Sequence, residues 1–245
     1  MSGHSKWNNI KRKKEATDGQ RAKIFTKIAR EIAVAVKEGG SDVNNNSRLR
    51  DLVSKARDNN VPNDNIERCI KKAAGEGDRN SYEEITYEGY GPSGVAVIVE
   101  TLTDNRNRTA GDLRHYFDKY GGNLGQSGCV SYLFTEKGVL VAENTGLDEE
   151  KVMEDCFDAG ALDFSMEEDM VEIDTEPLEV GRVRQAMEEK GYHILSGEAM
   201  KIPSTYVVIE DEDTRAKMEK LLDMLEDNDD VQNVWHNWQN DDEDE

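Results

Sequence analysis

Apolar residues first recur at helical spacing between Gln20 and Glu38, where Ile24, Phe25, Ile28, Ile32, Ala33 and Val36 share one face before Gly39-Gly40 stops the run. Asp18 stands where an N-cap belongs. After the polar "SDVNNN", a second amphipathic run turns Leu49, Leu52, Val53 and Ala56 inward, with Ser47 placed as its cap. "NNVPND" breaks that helix, and Asp64 with Glu67 has the capping-box spacing for a third, which carries Ile66, Cys69, Ile70 and Ala73 and ends at "GEGDRN". None of the three can bury a face alone, so they predict a small helical bundle over residues 1–79.

Beyond residue 80 the period shortens and strands alternate with helices. "YEEITYEGY" and "GVAVIVETL" predict a hairpin, followed by a helix from about Arg108 to Tyr120 and a strand at "CVSYLF". Next comes a self-contained succession: strand "GVLVAE", helix 148–159, strands "LDFSM" and "MVEID", helix 177–190 and strand "YHILSGEAM". That order is β-α-β-β-α-β, the split-βαβ or ferredoxin-like arrangement. "TYVVIE", a helix over 214–225 and "VQNVWHNW" then supply what the earlier half-unit lacks. The expected fold is α+β and multidomain: a three-helix domain with a basic N-terminal arm (1–79), a middle α+β domain (80–135 plus 203–240), a second α+β domain inserted into it (136–202) and an acidic tail (241–245).

Charge changes this picture most. The chain carries a net charge of -21, yet residues 1–79 hold 18 Lys and Arg against 11 Asp and Glu, net +7. Residues 80–245 hold the other 13 and 41, net -28. One end attracts polyanions and the rest repels them, which favours an oriented encounter. No long apolar segment or secretory h-region is present, which points to a cytoplasmic protein without a membrane partner. Three widely spaced cysteines (Cys69, Cys129, Cys156) fit a reducing compartment, and four scattered histidines lack a metal-ligand register, so neither a metal nor another cofactor is expected.

Enzyme signals fail on inspection. Gly89-Tyr-Gly-Pro-Ser-Gly94 matches GxGxxG but leads into a strand, whereas the dinucleotide fingerprint must open a helix, so it reads as a hairpin loop. "GQSGCV" lacks the spacing of a nucleophile elbow and a partner base, and no small-molecule substrate is evident. "LTDNRNRTAGDLRHY" clusters Arg106, Arg108 and Arg114 where a strand gives way to a helix, a natural anion site. The alternative is that Asn105 or Thr109 caps this helix while the arginines pair with nearby acids. The strongest signal is the start of the chain. Lys6, Lys11, Arg12, Lys13 and Lys14 precede the first helix, and Arg21, Lys23, Lys27 and Arg30 continue along it. Such residues neutralise phosphates and release counterions, the alternative being a solvated basic arm that balances the acidic domains of the same molecule, and Trp7 can either stack on a base or pack against the bundle.

"GHSKWNNIKRKK", "DGQRAKIFTKIAREI", "VPNDNIERCIKKA", "YEGYGPSGVAVIVETLTDNRNRT" and "GGNLGQSGCVSYLF" together resemble the YebC family, over essentially the whole chain up to Trp238. The resemblance implies one helical and two α+β domains and a DNA-binding regulator of transcription. A mitochondrial relative activates translation of cytochrome c oxidase, and bacterial relatives are linked to ribosomes stalled on proline-rich sequences. No catalytic residue carries over. The expectation is a non-enzymatic, nucleic-acid-binding regulator of gene expression acting on DNA, with ribosome or RNA binding as the second reading.

Overall fold

The computed structural model describes residues 18–75 and 82–239, with side chains from residue 22 onward. Three helices come first: α1 (Asp18–Gly39), α2 (Ser47–Asp58) and α3 (Asn63–Ala74). Their apolar stripes meet in one core containing Ile28, Ile32, Val36, Leu49, Val53, Ala56 and Ile66. The cap of α2 differs from the sequence expectation. Asn46, not Ser47, takes it: Asn46 Oδ1 accepts the Leu49 N–H at 3.0 Å while Nδ2 donates to the carbonyls of Ala35 and Gly40, each at 2.8 Å. An amide both accepts and donates twice, so it ties the end of α1 to the start of α2, which a single hydroxyl cannot do. A Cβ at Gly39 would lie 2.6 Å from that amide nitrogen, which is why glycine ends α1. The capping box expected at Asp64 and Glu67 is also absent. α3 starts two residues earlier than that cap implies, at Asn63 after Pro62 with φ -59°, and no side chain caps it.

The remaining elements, in chain order, are β1 (Glu83–Tyr90), β2 (Ala96–Thr103), α4 (Arg106–Lys119), β3 (Asn123–Leu124), β4 (Phe134–Glu143), α5 (Glu149–Ala159), β5 (Asp163–Met166), β6 (Met170–Thr175), α6 (Val180–Glu189), β7 (Ile194–Pro203), β8 (Val207–Val208), α7 (Glu212–Asp227), β9 (Val231–His236) and β10 (Trp238–Gln239). One antiparallel sheet has the order β3-β1-β2-β9. Val97, Val99 and Val231 on its face pack with Leu113 and Phe117 of α4 and with Met218, Leu221 and Leu225 of α7. A second antiparallel sheet, order β5-β6-β4-β7, packs Leu140, Val171 and Ile173 against Val152 and Cys156 of α5 and Val183 and Met187 of α6. This is the ferredoxin-like order, and its strands lie in the chain between β3 and β9 of the first sheet.

Two expected strands are largely something else. "CVSYLF" becomes a 3-10 turn at Ser131–Leu133, with the strand beginning only at Phe134. The buried Glu88 carboxylate explains it by accepting the N–H groups of Gly128 at 2.7 Å and of Val130 and Ser131 at 2.8 Å, which removes them from any ladder. "TYVVIE" contributes just Val207 and Val208, paired in parallel with Trp238 and Gln239. Thereafter Ile209 drops into the core and Asp211 caps α7 by accepting the Thr214 N–H at 2.9 Å.

Gly138 tests the packing of the inserted unit. A Cβ there would run into Thr175 Oγ1 and Val180 Cγ2 and lie 2.8 Å from the Glu176 carbonyl oxygen. Backbone cannot yield as a flexible side chain does, so Gly138→Ala is expected to destabilise the protein by about 1–3 kcal/mol, read as a lowered urea midpoint.

Candidate nucleic-acid interface

Lys23, Lys27 and Arg30 follow one another at spacings of four and three residues and therefore share a face of α1. That face lies against the end of α7 and the turn leading into β9. Lys23 Nζ pairs with Asp227 at 2.7 Å. Lys27 Nζ donates to the Glu226 carbonyl at 2.6 Å. Arg30 Nη1 donates at 2.8 Å both to the Asp229 carbonyl and to Asp230 Oδ1. The three side chains thus form a ladder that joins the helical unit to the middle sheet.

Asp230 is the inner rung. It is 4% exposed, and its Oδ2 accepts from Arg108 Nη2 at 2.7 Å, from Thr109 Oγ1 at 2.8 Å and from Thr103 Oγ1 at 3.2 Å. Its own N–H donates to Asn228 Oδ1 at 2.9 Å, and its carbonyl accepts the Leu102 N–H at 2.7 Å. Burial by itself would raise the carboxyl's pKa. The hydrogen bonds from Arg108, Thr109 and Arg30 outweigh it and hold the group below the usual carboxylate range.

The strand-to-helix junction at 103–109 is where an anion was expected, and the carboxylate it holds is Asp230's. Asn105 caps α4, its Oδ1 accepting the Arg108 N–H at 3.1 Å, and Arg108 also pairs with Asp104 at 2.9 Å. Arg106 is exposed, with Glu83 3.8 Å away, and Arg114 lies exposed further along α4. Lys6, Trp7, Lys11, Arg12, Lys13 and Lys14 lie outside the described residues. Arg21 is in the first turn of α1, where side chains are outside the description. Of the residues singled out by sequence, Lys23, Lys27, Arg30 and Arg108 are brought together here. The acidic turn they meet, with Thr103 and Thr109, was not foreseen; its sequence signal is the crowding of Glu226, Asp227, Asp229 and Asp230 at a helix end.

A polar cleft of ≈ 500 Å³ opens at the seam, lined by Lys23, Arg30, Asp104, Arg108, Asp112 and residues 227–230. The enzyme candidates fare differently. Gly91-Pro-Ser-Gly94 forms the β1–β2 hairpin loop, with Ser93 at φ 55° and Gly94 at φ 76°. Cys129 packs against the buried cluster of Ala96, Ile98 and Val130, and burial together with the Glu88 charge pushes its thiol up. Burial pushes the Cys156 thiol up to about 11. Among the described residues no group of three His, Cys, Asp or Glu side chains is placed to hold a metal, and no helix is long and apolar enough to cross a membrane.

Removing the Asp230 carboxylate leaves Arg30 without its carboxylate partner and Arg108 with Asp104 alone. Asp230→Ala is therefore expected to cost about 3–5 kcal/mol in stability, measured by urea unfolding at neutral pH. The sign of the pH effect follows from the lowered value. The stabilisation is complete above the unfolded carboxylate range, about pH 4, and is lost as pH falls below it toward the folded value. Asp155, held low by Lys151 and Lys190, each at 2.7 Å, and by the Tyr192 hydroxyl at 2.9 Å, adds to the same acid-side decline. In Asp230→Ala that decline should be shallower than in the wild type.

Comparison with known proteins matches the two parts of the chain separately. Residues 5–76 match the TACO1/YebC protein N-terminal domain, and residues 82–238 match the TACO1/YebC second and third domain. A probable transcriptional regulatory protein of Ruminiclostridium cellulolyticum is 57% identical over 246 residues, covering 100% of this chain and 99% of its own length. One of the same description from Finegoldia magna is also 57% identical, over 98% of this chain and all of its own length. Among solved structures, that of a conserved hypothetical protein, Aq1575 from Aquifex aeolicus, superposes with a TM-score of 0.78 at 45% identity, covering 91% of each chain. The chain belongs to the TACO1/YebC family.

Proposed function

We propose that this protein is a non-enzymatic regulator of gene expression that binds nucleic acid through its basic N-terminal end. The observation that carries the reading is how charge is distributed along the chain. Residues 1–79 carry net +7 against net -28 for the rest, and Lys6, Lys11, Arg12, Lys13 and Lys14 concentrate that positive charge without interleaved acids. A phosphate backbone suits that cluster, because each neutralised phosphate releases a counterion. The relatives' description as transcriptional regulators favours DNA. Thiols held in the un-ionised form by burial support a binding role over nucleophilic catalysis.

One observation favours RNA in a crowded site such as the ribosome. Residues 80–245 carry a net charge of -28, which opposes the close lateral approach of a long duplex and suits a basic end entering a polyanionic site while the acidic units stay outside. Crosslinking in cells followed by sequencing of the attached nucleic acid separates the two: discrete promoter DNA supports transcription, ribosomal RNA supports translation. In vitro, replacing Lys11, Arg12, Lys13 and Lys14 together by Ala is expected to weaken binding and to flatten the plot of log affinity against log salt. For duplex DNA the slope should fall by up to about 3.6, at roughly 0.9 per lost phosphate contact. An unaltered slope would refute the assignment.

A further inference from the structure

The acidic turn raises a question that domain docking does not answer. α7 ends in Glu226 and Asp227, with Asp229 and Asp230 following, and has no basic residue in its last turn. Acidic groups at a helix C-terminus lie at the negative end of its dipole, so the arrangement is intrinsically unfavourable. The turn is a concentrated anion whose compensating cations come from α1 and from Arg108. Those of α1 follow the basic residues Lys11 to Lys14 in the sequence.

We propose that the face of α1 bearing Lys23 and Lys27 is a phosphate-binding surface, and that the turn 226–230 occupies it as an internal competitor for nucleic acid. The inference rests on the nucleic-acid reading above and adds its regulation. Exposure decides which contacts can exchange. The Lys23–Asp227 pair is open to solvent, with side chains 41% and 63% exposed, and such pairs contribute little net stability, so a phosphate can replace the carboxylate at small cost. The Arg30–Asp230 pair is 20% and 6% exposed, and Asp230 is shared with Arg108 and two threonine hydroxyls. A buried, multiply bonded carboxylate is not displaced so readily. A bound strand would therefore extend its contacts from the arm along α1 to Lys23 and Lys27 and stop at Arg30, with the inner rung still holding the units together.

The test uses the full chain, a fluorescein-labelled 20-nucleotide duplex DNA and a single-stranded RNA of the same length, with affinities read by anisotropy across a salt series. Asp227→Asn removes the competitor at Lys23. Asp223→Asn, an exposed position one turn earlier on α7, changes the net charge equally and serves as the control for long-range attraction. Asp227→Asn is expected to bind about two- to five-fold more tightly than the control, the range that freeing one exposed ion-pair partner allows. Its salt slope should steepen by about 0.9 on duplex or 0.7 on single strand, one added phosphate contact. Adding Lys23→Ala should abolish that gain. Equal affinities and slopes for Asp227→Asn and Asp223→Asn would overturn the proposal while leaving the nucleic-acid reading intact. So would a lowered melting temperature in Asp227→Asn with no gain in binding, the signature of a purely structural pair. If neither the wild type nor Asp227→Asn binds either probe, both readings fall.

Discussion

A single carboxylate, that of Asp230, is held by two guanidinium groups that come from different parts of the chain, Arg30 from the helical unit and Arg108 from the middle sheet. Two threonine hydroxyls, from the end of β2 and the first turns of α4, complete its shell. Burying a charge is unfavourable unless it is paired and its remaining lone pairs are filled, and here both conditions are met by groups that only the assembled fold brings together. The placement of α1, the start of α4 and the turn into β9 all depend on this one satisfied anion. The outer contacts of the seam, Lys23 to Asp227 and Lys27 to the Glu226 carbonyl, follow from it geometrically, since an α-helix fixed at Arg30 presents the residues three and seven positions earlier along the same side.

The helical unit meets the inserted one as well. Arg184 of α6 makes a bidentate pair with Asp58 at the end of α2, at 2.7 and 2.8 Å, with both side chains 13% exposed. The helical unit is thereby held to the middle sheet through α1, and through Arg48 of α2 on Glu84 of β1, and to the inserted unit through α2. Buried bidentate pairs specify orientation, because a guanidinium fork tolerates little rotation about its carboxylate partner.

Periodicity made the secondary structure legible, and the reasons for its misses are local and physical. Ile28, Ile32 and Val36 announce α1 because burial on one face enforces the helical period, and the continuous apolar run in "GVAVIVETL" announces β2, a strand buried on both faces. The strand expected at "CVSYLF" fails because Glu88, some 40 residues away, draws off the N–H groups. Ser47 loses the cap of α2 to Asn46 because the cap must also serve the end of α1. The basic residues of the seam were readable as basic, but their partner was not: Arg30 and Asp230 are 200 residues apart, and nothing in local composition joins them. Charge says which residues seek an anion, and only the fold says that the chain supplies one of its own.

The insertion also orders events in time. β9, α7 and the turn bearing Asp227 and Asp230 follow the whole inserted sheet in the chain, so a growing polypeptide makes α1 long before it makes their partner. During synthesis the inserted unit has all its strands by Pro203, while β2 still lacks its neighbour on one edge and the lysines of α1 have no carboxylates to meet. Domains fold as their residues emerge, and a unit split around another closes last. A nascent chain of this protein therefore passes through a stage in which Lys23, Lys27 and Arg30 of α1 lack their partners beside the ribosome that makes it, and the arrival of α7 and the turn into β9 ends that stage.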